Sequence, residues 1–497
     1  MHRLTPSANW PVFQRNSLKT LERQLQARSP TPLMQGAGLA AAQLALAMAP
    51  HAQRIWVAAG PGNNGGDGLE AAMHLHLAGK TVRVSLLIDR DKQALEAQAA
   101  LAKALQAGLT VQTEPPSEWI AGMGPQDLCI DALLGLGASR PLSTEIQAWV
   151  DAINQSPAKV LALDLPTGLD AESGQLLGVD AQTQTRAIRA DHTLTFVAAK
   201  PGLFMGHGRD LCGDIWLERL DAATRAPLRL QPQAWLNTPS EHHHKAHASH
   251  KGSHGDVAII GGEAMALHGM GMSGAAVLAA TAALHAGAGR VMLSLLGESA
   301  ASIPPDLMQR PWTQLDLEQL QVVCGCGGGQ AVKTALTEVL ARSAQLVLDA
   351  DGLNAVAQDE AWAEALRQRG THQPTVITPH PLEAARLLQT DTRQIQNQRL
   401  QSAQNLADQF KCVVVLKGSG TVIAAPGQTP HINTTGTGQL AIGGTGDVLA
   451  GLIGARMAQG LNAFDAACTA VHQHGLVADA WPESRALTAS RLAQALW

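Results

Sequence analysis

Short apolar runs alternate with helix-length stretches along almost the whole chain, and that rhythm leaves few folds open. The runs lie at 54–59, 81–88, 127–132, 159–165 and 192–197 in the first half. In the second half they lie at 256–261, 290–295, 321–325, 345–350, 375–378 and 411–417. Each is short, and Gly, Pro or Asp residues punctuate the chain after most of them, as strands within α/β units require. Strands joined by crossover helices form parallel sheets covered by helices, so the expected class is α/β in both halves.

At 497 residues the chain exceeds one ordinary core, and two or three domains are expected. The periodicity fails from about 222 to 248, where Pro, His and polar residues mix. We therefore expect domains at 1–225 and 246–497 joined by a linker at 226–245, with the cut near 235. With no Tyr but 48 Gly, the core has to be built from small aliphatics packed closely. A net charge of -5 gives no reason to expect nucleic acid or anionic lipid as a partner. Small-molecule substrates and a homo-oligomer are expected instead. Cys129, Cys212, Cys324, Cys326, Cys412 and Cys468 lie apart, mostly in apolar runs, which reads as reduced, buried thiols. The start carries no signal-peptide pattern, and the apolar stretch at 39–49 is too short to span a bilayer, so the cytoplasm is expected. The tract His242, His243, His244, His247, His250 and His254 invites a metal, but it lies across the connector without companion Cys or Asp ligands. We read it as an exposed linker.

In the first half, the run RIWVAAG leads into Pro61 and then Gly62, Asn63, Asn64, Gly65, Gly66, Asp67 and Gly68, with a helix pattern following. Glycines there let backbone N–H groups approach an anion, and open α/β sheets bind ligands at this end of their strands. A tight structural turn would explain glycines alone; two Asn and an Asp add donors and acceptors. Two more strand ends carry Asp131 and Asp164, the latter in DLPTGLD. Oxygen donors from Asn64, Asp131 and Thr167 could hold a hard cation, leaving Asp164 as an acid/base. Helix capping is the plainer reading of these Asp residues.

The set LMQGAG, GNNGGDG, DALLGLG, DLPTGLD and ADHTLTFVAAKPG resembles the NAD(P)H-hydrate epimerase domain, in that family's order, over most of 15–220. The resemblance implies a Rossmann-like three-layer αβα domain. It also implies binding of hydrated nicotinamide nucleotide by Asn63, Asn64, Gly65, Gly66 and Asp67, by Gly135, Leu136, Gly137, Ala138, Ser139, Arg140 and Pro141, and by Asp164. Asn64, Asp131 and Thr167 match the family's potassium ligands. Two positions depart: Gln35-Gly36 replaces an acidic-basic pair, and Leu136 replaces Thr, removing a hydroxyl from the phosphate loop.

The second half carries the more informative run, NTTGTGQLAIGGTGDVLAG from Asn433. Gly443, Gly444 and Gly446 free the backbone to present N–H groups where a helix at 447–459 begins, which suits a phosphoryl group in transfer. Asp447 at that start could accept a proton from a substrate hydroxyl. The Walker ending Gly-Lys-Ser/Thr is absent. Lys417, Gly418, Ser419, Gly420 and Thr421 end another strand with a cation and amides, and His380 ends a third.

This half resembles the ribokinase-like ADP/ATP-dependent NAD(P)H-hydrate dehydratase over nearly all of 246–497. By that resemblance Ala275, Gly327, His380 and Asp447 bind the hydrated nucleotide. Lys417 to Thr421 and Gly446 contact the adenine nucleotide. Cys326 stands where Pro is usual, Thr437 where Asn is usual, and Leu382 where Gly is usual. The two domains in this order resemble the bifunctional NAD(P)H-hydrate repair family. The chemistry implied is interconversion of R and S hydrates in the first half, aided by K+. The second half would dehydrate the S form at the expense of ADP or ATP with Mg2+, with Asp447 and Asp164 as catalytic groups. A ribokinase-like small-alcohol kinase, with a non-catalytic nucleotide-binding first half, is the alternative. A nicotinamide dehydrogenase is disfavoured, since no G-x-G-x-x-G with a downstream acid follows the first strand.

Overall fold

A computed structural model describes residues 1–87, 94–178, 186–220, 230–238, 247–269, 271–298 and 302–496. The chain divides into two compact units, Met1–Thr5 with Trp10–Gln233, and Pro6–Asn9 with Ala234–Trp497. Much of the expected connector, and His242 to His244 in the His tract, lie outside the described residues.

In the first unit the sheet runs His2–Arg3, Asp214–Glu218, His192–Phe196, Lys159–Leu163, Leu128–Ala132, Arg54–Ala59, Thr81–Leu86, Val111–Gln112. All neighbours are parallel except the first pair. Strand Arg54–Ala59 pairs with Thr81–Leu86 on one side and with the later strand Leu128–Ala132 on the other. Chain order therefore reverses there, opening a crevice beyond the carboxyl ends of Arg54–Ala59 and Leu128–Ala132. Helix Asn63–Leu77 starts directly after the first of these strands and packs on helix Leu33–Met48.

Small residues make that packing possible, since a Cβ on Gly38 would fall on the Glu70 Cβ; the helix start is equally close to the strand before it. A Cβ on Gly65 would fall on the Gly60 carbonyl oxygen. Gly65→Ala should therefore destabilise the first unit, by about 1–3 kcal/mol for forced overpacking. Amide exchange should quicken in helix Asn63–Leu77 while second-unit exchange stays unchanged.

In the second unit the strands run Met308–Gln309, Arg290–Leu296, Asp256–Glu263, Gln321–Cys324, Gln345–Leu348, Thr375–Ile377, Val413–Leu416, Val422–Ala424, His431–Ile432, Ala234–Leu236. Pairing is parallel through Val413–Leu416, then antiparallel through the hairpin to His431–Ile432. Helices Ser273–His285 and Thr445–Ala458 pack closely, with Ala276, Ala279, Ala280 and Ala283 fully buried. This is the small-aliphatic core that the composition demanded. All six cysteines are buried and unpaired.

Two differences from the sequence reading stand out. Ala234–Leu236, inside the expected linker, is a strand pairing parallel with His431–Ile432, and Ala234 and Leu236 are buried. Three residues are too few to show a period of two. The strand Asp214–Glu218 and the hairpin strands Val422–Ala424 and His431–Ile432 also escaped notice, being short and at or near sheet margins.

Candidate active sites

The first-unit crevice is a cavity of about 580 Å³. Gly62, Asn63, Asn64 and Asp67 line it from one strand end, Leu133 to Ala138 from the next, and Asp164 from a third. Ser139, Arg140 and Pro141 do not line it. Asn64 is only 8% exposed, yet neither its Oδ1 nor its Nδ2 has a hydrogen-bond partner. A buried amide left unsatisfied is costly, so this one marks a place for a ligand or ion.

Asp131 is fully buried and accepts from the Thr167 hydroxyl at 2.8 Å, the Thr167 N–H at 2.8 Å and the Leu133 N–H at 3.1 Å. Burial pushes its carboxyl up to about 6, against the pull of the Thr167 and Leu133 hydrogen bonds. Asp164 adopts a positive φ of 66°, a conformation costly for a residue other than Gly and common at functional sites. Its Oδ2 accepts the Leu136 N–H at 2.8 Å, and its Oδ1 lies 2.7 Å from Lys200 Nζ. Leu136 thus serves through its backbone, and the missing hydroxyl does not disturb this contact.

Lys200 was not singled out in the sequence. It is 1% exposed and also donates to Thr195 Oγ1 at 2.7 Å and the Phe196 carbonyl at 3.1 Å. A Lys inside the apolar run FVAAKPG was the available signal, because a buried ammonium needs a partner.

In the second unit, four neighbouring parallel strands end at Cys324, Leu348, Ile377 and Leu416. The residues just beyond them converge with the start of helix Thr445–Ala458. Cys326, Asp349 and Asp447 bring ligand atoms within 4.8 Å of one another. Lys417 Nζ lies 2.7 Å from Asp349 Oδ1, and a Cβ on Gly446 would sit 3.3 Å from that ammonium. Gly327 and Ala275 face each other, since a Cβ on Gly327 would sit 2.8 Å from Ala275 Cβ.

The helix begins two residues before the expected 447, with Gly444 at φ 93° as its N-cap, so Asp447 is its third residue. A left-handed N-cap favours Gly. Burial pushes the Asp447 carboxyl up to about 6, aided by the neighbouring Asp349, while the Cys326 thiol and Lys417 pull it down. Burial works against the Lys417 ammonium, but Asp349 and Glu383 outweigh it and hold its pKa above the ordinary value.

His380 caps helix Pro381–Leu387: its Nδ1 accepts the Leu382 and Glu383 N–H groups at 3.1 and 3.3 Å. Its Nε2 then faces Glu383 Oε1 at 3.1 Å. Burial pushes Glu383 up to about 7, against Lys417. Burial, then the Lys417 charge, lowers the His380 pKa.

Arg399 and His474 were missed, whereas Asp349 lies in the strand end at 348–354 that the sequence marks. Arg399, 1% exposed, donates to the Leu416, Lys417 and Gly420 carbonyls at 3.0, 3.2 and 3.3 Å, clamping the 417–421 loop from beneath. His474 Nε2 meets the Thr445 carbonyl at 3.0 Å. Asp349 precedes Ala350, whose φ of 50° is a second strained backbone beside a site. These act across the fold, from helices and turns distant in sequence.

The Cys326, Asp349 and Asp447 group is the one cluster of metal-ligating type among the described residues. It is a poor Mg2+ cage: one member is a thiol, and Asp349 is already paired with Lys417. Asp131 and Thr167 are joined by hydrogen bonds and Asn64 is bonded to neither; the carboxylate, hydroxyl and unpartnered amide are the donor types that a hard monovalent ion takes.

Residues 257–496 match the family model for NAD(P)H-hydrate dehydratase, and residues 30–202 match that for the YjeF-related protein N-terminus. The bifunctional NAD(P)H-hydrate repair enzyme of Escherichia coli is 37% identical over 466 residues, covering 90% of this chain and 84% of that protein. Its counterpart in Coxiella burnetii is 34% identical over 488 residues, covering 94% of each. The solved ADP/ATP-dependent NAD(P)H-hydrate dehydratase of Bacillus subtilis is 28% identical, with a TM-score of 0.42 over 52% of this chain and 91% of that one. Two crevices of different chemistry, in one chain whose relatives are similar across both units, lead to one conclusion: the chain belongs to the bifunctional NAD(P)H-hydrate repair enzyme family.

Proposed function

We propose that the chain repairs hydrated NADH and NADPH, with R and S epimers interconverted in the first-unit cavity and the S form dehydrated at the Asp447 site. The observation that carries the second step is a largely desolvated carboxylate, Asp447, at a glycine-capped helix start beside the half-buried Lys417. Asp447 takes the proton of the substrate hydroxyl as the terminal phosphoryl of ADP moves onto that oxygen, giving AMP. Amides at the helix start and Lys417 stabilise the transferring charge. Phosphate then leaves with the C–O bonding pair, and loss of a proton from the neighbouring carbon restores the ring double bond. Mg2+ bound with the donor would supply charge neutralisation on its phosphates, since the side-chain cluster is itself a poor cage. Lys417, Gly418, Ser419, Gly420, Thr421 and Gly446 hold the nucleotide, and Ala275, Gly327 and His380 the hydrate.

In the first unit, Asn63, Asn64, Asp67, Gly135 to Ala138 and Asp164, which line the cavity, bind the hydrate. Asn64, Asp131 and Thr167 would hold K+, which supplies fixed positive charge beside the substrate. Asp131→Asn should lower R-hydrate turnover about tenfold or more, as removal of an ion's supporting ligand does. It should also remove any K+-dependent gain in first-unit thermal stability, with S-hydrate dehydration intact.

The pH dependence of the second step follows from Asp447. As the base it acts ionised, and its pKa is about 6, so kcat/KM for S hydrate should be flat above that pH and fall as pH drops through it. A rate profile with pure S hydrate and saturating ADP checks this. Incubating the protein with R hydrate alone, with and without ADP, tests the reading as a whole.

A further inference from the structure

The first-unit cavity holds more acid than the reading above uses. Glu22, on helix Arg15–Gln26, lines it with Asp67 and Asp164. Lys200 is the buried cation here, and it is committed to Asp164 at 2.7 Å. Lys19 and Arg23, on the helix that bears Glu22, line the cavity but are exposed, and Glu96 faces it from another helix. The cavity is marked as a ligand site independently of these acids by the buried, unpartnered amide of Asn64.

The proposed substrate sets a demand. Water adds to an enamine at the carbon next to nitrogen, so the hydroxyl and the ring nitrogen of the hydrate share one carbon. Inverting that carbon is simplest by ring opening. The hydroxyl gives up its proton, a C=O bond forms, the C–N bond breaks, and its electron pair on nitrogen takes a proton. Rotation about the adjoining C–C bond and closure on the opposite face reverse both transfers. Nothing is oxidised or reduced. One base and one acid must meet the same carbon.

We propose that Glu22 is the acid of this pair, lending a proton to the ring nitrogen while Asp164 takes and returns the hydroxyl proton. The inference rests on the epimerase reading. Asp164 receives the Lys200 ammonium and the Leu136 N–H, the pattern of a group that accepts. Burial, then the Asp164 charge, raises the Glu22 pKa, while Lys200 and Lys19 pull it back, so its proton is held more firmly than on a free carboxyl. It thus feels both signs, and its charge can cycle. Asp67 is the rival, but burial, then the charges of Asp164, Glu22, Glu96 and Glu70, push its pKa well above the ordinary value, so its proton is the harder one to give up and regain. Acid and base roles set apart by environment are the usual arrangement.

The test uses purified R hydrate and the full chain without ADP, following S hydrate by chromatography. Glu22→Gln should lower kcat about 100-fold or more, with KM within about threefold, and the alkaline limb of the kcat profile should vanish. Glu22→Asp should restore part of the rate together with that limb. Dehydration of S hydrate and the unfolding midpoint should match the wild type, separating chemistry from misfolding. A Glu22→Gln rate within about threefold of wild type, or a loss confined to KM, overturns the proposal. If the wild type itself leaves R hydrate at its spontaneous rate, the epimerase reading falls and this inference with it.

Discussion

Asp447→Asn is expected to cut ADP-dependent dehydration of S hydrate by about 10²–10⁴, roughly 3–5 kcal/mol of barrier, while R and S hydrates still equilibrate. Asn keeps the size of the side chain near the helix start but cannot take the hydroxyl proton. The wild-type carboxylate is desolvated and stands near Asp349, so replacing it by a neutral amide removes an unfavourable burial and folding should not suffer. The loss should fall on kcat with KM for ADP little changed, if Lys417 and the backbone of its loop hold the nucleotide as proposed. Single-turnover assays with pure S hydrate measure it. Near-normal turnover would reduce the glycine-rich helix start to a phosphate cradle and remove Asp447 from the chemistry.

The reciprocal variant, Asp164→Asn, should leave S-hydrate dehydration intact and lower enzymatic consumption of R hydrate by a similar factor of about 10²–10⁴. Asn can still accept the Leu136 N–H, which now comes at 2.8 Å, so the 135–141 loop should hold its place. The choice matters because replacing Lys200 instead would strand a buried carboxylate, at a typical cost of about 3–5 kcal/mol of stability. Loss of R turnover in that case would not separate chemistry from folding. Turnover of each pure epimer by both Asp variants gives a two-by-two result, and the account requires the two losses to fall on opposite epimers.

What the sequence showed, and what it did not, divides along physical lines. Apolar runs such as 54–59 and 321–325 became central strands, Arg54–Ala59 and Gln321–Cys324, because a strand buried on both faces must be apolar throughout. The loops beyond them were legible for the same reason: Gly, Asn and Asp directly after such a run have few purposes other than a turn or a ligand. Asn64 and Asp447 were found this way. Lys200, Arg399 and Glu22 were not, because each acts from an element whose pattern explains it without a ligand. Glu22 lies on an amphipathic helix at the margin of the buried stripe of Leu18, Leu21 and Leu25, where a charged residue reads as the solvent-facing border of that stripe. Only the fold reveals that this border looks into a cavity. The strand Ala234–Leu236 was hidden by length, since its partner His431–Ile432 lies almost two hundred residues away in sequence.

The most direct test of the account supplies pure R hydrate of NADH to the protein and follows the absorbance of reduced nicotinamide. Without ADP the absorbance should stay flat while S hydrate accumulates. With ADP and Mg2+ it should return to the full value expected for the hydrate supplied, with one AMP and one phosphate formed for each NADH recovered. A stable phosphorylated product with no return of absorbance would contradict the account, and would make the second unit a kinase of some other alcohol.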